Sequence, residues 1–170
     1  FIKIPSAING SHQFLIDSCK TGKPILVSLG MIDLQEVDDI VNILNKYSSD
    51  FCIMHTNSAY PAPYEELNLS LIPFFIKRYK CPVGYSGHEM GLEPTVIASV
   101  LGANVIERHI TLDHNMWGSD QKCSLEVHAM DLLNKRITAA RKSMGHPIKE
   151  VFPSELPKIK SLKNNSISKK

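Results

Sequence analysis

Three things are scarce in this chain of 170 residues. Net charge is only +2, too small to mark a surface for nucleic acid or anionic lipid. No apolar run approaches the ~20 residues that span a bilayer, and the first residues lack the layout of a secretory signal, so the expected setting is the cytoplasm, away from any membrane. Cysteine is sparse and scattered: Cys19, Cys52, Cys81 and Cys123 form no C-x-x-C pair, which argues against a disulfide scaffold and reads as free thiols. What remains is the balance of an ordinary globular domain, 43% hydrophobic and 21% charged.

That balance is organised as an alternation. Residues 1–4 read as a strand, residues 12–19 as a short helix closed by Thr21-Gly22, and residues 25–28 as a buried strand. Asp33 then caps a helix whose Leu34, Val37, Ile40, Val41 and Leu44 share one face. A third strand covers 51–55, a proline-rich loop 56–66, and a helix runs from Asn68 to about Tyr79. Residues 83–85 form a short strand bounded by Pro82 and a Ser86-Gly87 turn. A helix over 94–101 ends at Gly102, and 104–107 rises as a buried strand. A last amphipathic helix spans 126–144, using Met130, Leu133, Ile137 and Ala140. Residues 1–146 are expected to form the domain, and 147–170 a basic, proline-containing tail or linker.

Five strand–helix units thus begin near residues 2, 24, 51, 82 and 103, with strands that are continuous apolar runs, as in parallel sheets covered by helices. The polar residues decide between an open sheet and a barrel. Lys3/Ser6, Ser28, Ser58/Tyr60, Ser86/His88 and Glu107/His109 all fall at or just past strand C-terminal ends. An open sheet concentrates its chemistry at one switch point, whereas a barrel draws on every strand. The predicted fold is therefore a (β/α)8 TIM barrel. Since a complete one takes about 250 residues, the last five β/α units are the expected content.

Lys3 with the hydroxyls of Ser6, Ser28, Ser58 and Ser86 suits a phosphate or carboxylate; alternatively each serine caps the helix that follows it. His88 and His109, 21 residues apart at neighbouring strand ends, suggest a divalent cation such as manganese, zinc or iron, with Glu107 as oxygen donor or acid/base group. Two histidines alone do not specify a metal. His12, His114, His128 and His146 read as surface, and His55 either supports the site or is a buried, hydrogen-bonded histidine. Asp120, in the loop WGSDQK, either accepts from a polyol substrate or is solvated. Strand alternation turns Arg108 away from Glu107 and His109.

FIKIPS, KPILVSLGM, HTNSAYPAPYEELNL, PVGYSGHEMG, LGANVIERHITLD and GSDQKCSLE occur in that order across roughly residues 1 to 145. Together they resemble the sialic acid synthase family, which includes N-acetylneuraminate, legionaminate and pseudaminate synthases. The resemblance implies a (β/α)8 barrel that condenses phosphoenolpyruvate with an open-chain N-acylated amino sugar such as N-acetylmannosamine, yielding a nonulosonic acid and phosphate. It implies that His88 and His109 hold a divalent ion, most often manganese with magnesium or cobalt as alternatives, and that Glu107 stands beside it as a catalytic carboxylate. It further implies that Lys3, Ser6, Ser28 and Ser86 bind phosphoenolpyruvate, with Ser58 at a position that is asparagine in some members, and that Tyr60 and Asp120 contact the sugar.

The family pattern also contains a first group of strands and an antifreeze-like domain, neither of which is recognisable in these residues. The expectation is a piece of a longer synthase, inactive by itself: a truncated gene, one product of a split gene or an excised part. The full-length family suggests a homodimer. The other readings are a non-catalytic half-barrel that completes a separately encoded N-terminal half, and a related synthase acting on a sugar phosphate.

Overall fold

A computed structural model of the chain describes residues 1–48 and 50–163. Its centre is a five-stranded parallel sheet of β1 (Ile2–Ile4), β2 (Ile25–Ser28), β3 (Phe51–Thr56), β4 (Val83–Gly87) and β5 (Val105–Arg108), adjacent in chain order. Between and after them run α1 (His12–Cys19), α2 (Leu34–Tyr47), α3 (Leu71–Tyr79), α4 (Glu93–Val100) and α5 (Val127–Met144). Strictly sequential parallel strands joined by crossovers of one hand keep every helix on the same face. Burial agrees. Ile4, Ile25, Val27, Ile53, Val83 and Tyr85 share one core cluster with Leu15 of α1, Val37, Ile40, Val41 and Leu44 of α2, Ile72 and Phe75 of α3, and Ala98 of α4.

The opposite face is built by the alternate residues, among them Lys3, Ser28, Met54, Ser86 and Glu107. It is concave. Lys3 stands on β1 and Glu107 on β5, with three strands between them, yet their side chains meet at 3.4 Å. The sheet is thus a curled half-barrel, as the run of strand-end polar residues predicted.

Local chemistry explains most element ends. Asp33 accepts from the backbone N–H of Glu36 at 3.0 Å, while the Glu36 carboxylate accepts from Asp33 N–H at 2.9 Å, a reciprocal capping box that opens α2. Gly102, at φ 111°, ends the α4 segment where a side chain would be strained. Helix α5 packs Leu133 with Leu92 and Leu125 in a second small cluster flanked by Ile137.

Two local expectations are corrected and one feature is added. Ser86 and Gly87 are not a turn: they continue β4, paired with Glu107 and Arg108, because a flanking strand on each side supplies the ladder that their own propensity does not. The helix expected from Asn68 starts at Leu71, since Asn68 sits at φ 44°, outside the right-handed helical region. Beyond β5, Ile110–Thr111 and Leu125–Glu126 form a further two-stranded parallel ladder, β6 and β7, that bridges the loop between them. In the basic tail, residues 153–163 make short helical turns and residues 164–170 lie outside the described part. Among the described residues no helix is long and apolar enough to cross a membrane.

Candidate active site

Lys3, Ser6, Ser28, Thr56, Tyr60, Ser86, His88, Glu107 and His109 line a single cavity of about 380 Å3 at the C-terminal end of the sheet. Each arrives at or just past a strand end, which is where a barrel assembles chemistry from several strands.

One side of the cavity gathers an ammonium and several hydroxyls. Lys3 Nζ donates to Ser28 Oγ at 2.8 Å and lies 3.4 Å from Glu107 Oε1. Ser6 Oγ accepts from Gly30 N–H at 3.0 Å. Ser58 stands just behind: its Oγ is buried with no hydrogen-bond partner, and with Ser6 Oγ it crowds the space where a Cβ on Gly30 would fall. Gly30 therefore lets two hydroxyls approach the backbone of the β2 end. The buried Asn9 amide holds that end in place by donating to the carbonyls of Ser28 and Gly30, both at 3.0 Å.

The other side carries the imidazoles. His88 and His109 have ring centroids 5.2 Å apart, and Tyr60 lies against His88 at 4.2 Å and edge-on to His109 at 5.5 Å. His88 Nδ1 is 2.6 Å from the Asn57 carbonyl, which can only accept, so the proton belongs on Nδ1. Its Nε2 lone pair then faces the cavity, taking a hydrogen bond from the Tyr60 hydroxyl at 3.2 Å. Burial, more than any neighbour, holds His88 below the ordinary histidine pKa and keeps it neutral. Burial also raises Tyr60, aided by the negative charge of Asp120 and Glu107. Glu107 accepts from Ser86 Oγ at 2.8 Å, so the carboxylate is shared between a hydroxyl and the Lys3 ammonium.

Asp120 is at the rim, its Oδ2 3.7 Å from His109 Nδ1, on a loop whose Trp117 is 99% exposed. The structure thus gathers Lys3, Ser6, Ser28, Tyr60, Ser86, His88, Glu107 and His109 around one space, with Ser58 behind it and Asp120 beside it. His55 is buried on the helix side, bonded through Nε2 to the Leu67 carbonyl at 2.7 Å, which answers its two readings in favour of a structural histidine. Asn9 and Asn57 were not anticipated. Both act by reaching carbonyls or offering one across a loop, which leaves no local spacing to detect.

A half-barrel whose polar mouth gathers a lysine, several hydroxyls and two facing imidazoles defines the class by its fold: a β/α barrel architecture in which side chains from several strand ends meet in one cavity. The chain belongs to the NeuB family, whose family model matches residues 1–149. It is 36% identical over 171 residues to the N,N'-diacetyllegionaminic acid synthase of Campylobacter jejuni, covering 99% of this chain and 51% of that protein. To the human N-acetylneuraminate-9-phosphate synthase it is 34% identical over 170 residues, covering 99% and 47%. The crystal structure of an N-acetylneuraminic acid synthetase from Leptospira borgpetersenii in complex with citrate superposes with a TM-score of 0.85 at 32% identity, covering 99% of this chain and 58% of that one. A DAHP synthase from Thermotoga maritima shares the fold, with a TM-score of 0.71 at 19% identity. The chain spans about half the length of the curated relatives it matches.

Proposed function

We propose that this chain supplies the site-bearing half of a nonulosonic acid synthase, which joins phosphoenolpyruvate to an N-acylated amino sugar and releases phosphate. The observation that carries the reading is the meeting, in one cavity, of an ammonium–hydroxyl cluster with two imidazoles and a carboxylate. Lys3, Ser6, Ser28 and Ser86, backed by the unpartnered Ser58 hydroxyl, hold the phosphate and carboxylate of phosphoenolpyruvate. Tyr60 and Asp120 receive the sugar hydroxyls. The new bond joins C3 of phosphoenolpyruvate to the aldehyde carbon of the open-chain sugar; water adds at C2 and phosphate leaves. Glu107, between Ser86 and Lys3, exchanges the protons that this sequence requires.

The residues fit a divalent cation. His88 and His109, whose ring centroids stand 5.2 Å apart, would be its two protein ligands, with water or substrate oxygens completing the shell, since no third His, Cys, Asp or Glu joins them among the described residues. The Asn57 carbonyl already fixes the His88 tautomer that a metal requires. Manganese is the expected ion, with magnesium or cobalt as alternatives, and when bound it supplies Lewis-acid polarisation of the sugar carbonyl. Loss of the free-ion EPR signal on titrating manganese is expected for the wild-type chain and not for His88→Ala or His109→Ala. Wild-type binding retained in both variants overturns the ligand assignment.

Similarity to a synthase named for a 9-phosphate product brings in a second reading, a phosphorylated sugar. A second phosphate would need a further cation, and Arg108, which borders the cavity, has its side chain sealed against Glu89 with neither exposed, which favours the unphosphorylated substrate. Turnover is expected only when the rest of the barrel is supplied, on the same polypeptide or as a partner chain. Phosphate release with N-acetylmannosamine, compared with its 6-phosphate, separates the two sugars; robust release by these 170 residues alone overturns the half-site reading.

A further inference from the structure

Directly behind the two imidazoles lies a buried ion pair that no substrate role has claimed. Glu89 follows His88 in the chain and Arg108 precedes His109. Arg108 Nη1 reaches Glu89 Oε1 at 3.1 Å and Nη2 reaches the Glu89 carbonyl at 2.7 Å, with both side chains fully buried. The carboxylate accepts two more hydrogen bonds, from Tyr85 Oη and Thr95 Oγ1, each at 2.8 Å. The guanidinium in turn donates to Thr95 Oγ1 at 2.9 Å, to the Gly91 carbonyl at 3.0 Å and to the Cys123 carbonyl at 3.2 Å. One side chain therefore ties together the loop bearing His88, the start of α4, the end of β5 just before His109 and the segment that follows Asp120.

We propose that the Glu89–Arg108 pair is a positioning device that sets the distance and relative tilt of His88 and His109; this rests on the reading that those imidazoles hold a divalent cation. Stability alone does not account for it. Uncharged side chains of similar volume commonly replace a sealed ion pair at no cost in stability, so its worth here is geometric. Groups that orient a metal's ligands, without touching the metal, typically change its affinity by about tenfold to a hundredfold. Gly87 supports the arrangement, because a Cβ there would stand 2.6 Å from Glu89 Oε2 and 3.0 Å from Arg108 Cδ.

The test compares the full chain with Arg108→Lys, which keeps the charge but loses the planar fork, and with the double variant Glu89→Gln/Arg108→Met, which removes both charges. Two readouts are needed: the manganese dissociation constant by EPR, and the imidazole 1H–15N NMR correlations of the metal-free chain. Positioning predicts, in variants that retain their thermal transition, an affinity loss of about tenfold or more. It also predicts broadened or split signals from His88 and His109 while the other five of the seven histidines keep theirs. Unchanged affinity and unchanged imidazole signals overturn it. If the wild-type chain binds no manganese, the metal reading fails and the imidazole signals alone decide the positioning. If either variant does not fold, Thr95→Val decides: it takes a donor from Glu89 and an acceptor from Arg108 while keeping both charges. A change confined to the two signals supports the device, and none overturns it.

Discussion

Glu107 and Arg108 are consecutive residues at the end of one strand, and they inhabit opposite worlds. Glu107 turns to the concave face, where its pair with Lys3 leaves the two side chains 40% and 23% exposed, free to meet a ligand. Arg108 turns to the helix side, where its pair with Glu89 is completely sealed. Strand alternation puts a partly open charge and a sealed charge one residue apart. The difference teaches that an ion pair's role follows from its access to water: the open pair can exchange partners, and the sealed pair can only hold shape.

The sharpest way to break that contrast is to truncate each cation. Arg108→Ala leaves a carboxylate buried without its counter-charge and is expected to lower unfolding free energy by about 3–5 kcal/mol, read by urea denaturation. Lys3→Met, in the half-open pair, should cost less than about 1 kcal/mol and instead abolish anion binding, read by phosphoenolpyruvate titration. Similar losses of stability for the two would erase the distinction. Gly87→Ala tests the packing between the faces: its methyl meets Glu89 Oε2, Tyr85 Cε1 and Arg108 Cδ at 2.6, 2.8 and 3.0 Å, with the carboxylate and guanidinium both held by other bonds. A loss of about 1–3 kcal/mol is expected, and a neutral outcome would show that the sealed pair can yield.

Acid should give the gentlest effect. His55 on the helix side and His88 on the cavity side are both held below the ordinary value of 6.5, chiefly by burial. The unfolded chain therefore takes up protons first as pH falls. The stability that comes from keeping both imidazoles neutral is complete above 6.5 and is lost as pH drops through it toward the folded-state values. Thermal midpoints measured between about pH 8 and about pH 5 should fall on the acid side, and His55→Gln should flatten that fall. An unchanged slope would assign the acid sensitivity to other groups.

The barrel was legible in the chain because apolar runs recur at even spacing and each ends in a polar residue, a pattern set by the fold as a whole. Asp33 announced α2 for the same kind of reason, since a cap acts within one turn. What could not be read depends on partners distant in sequence. Ser86 and Gly87 look like a turn until Glu107 and Arg108, 21 residues on, supply a neighbouring strand. Glu89 can be buried in a polar loop because Arg108, 19 residues away, and the hydroxyls of Tyr85 and Thr95 meet its carboxylate. Ser58 aligned with the other hydroxyls by position, yet its Oγ ends buried against Gly30 with no hydrogen-bond partner.

The loop that carries Asp120 has one more property. Trp117 is the only tryptophan of the chain, and it is almost wholly solvent-exposed. Intrinsic indole emission is thus nearly blind to unfolding of the core, because the fluorophore already sits in water in the native state. What it reports is the surroundings of that one loop. A blue shift on adding a sugar would mean that the segment beside His109 has folded over the cavity, giving the chain a built-in optical label at the one place on the rim where Asp120 meets the site.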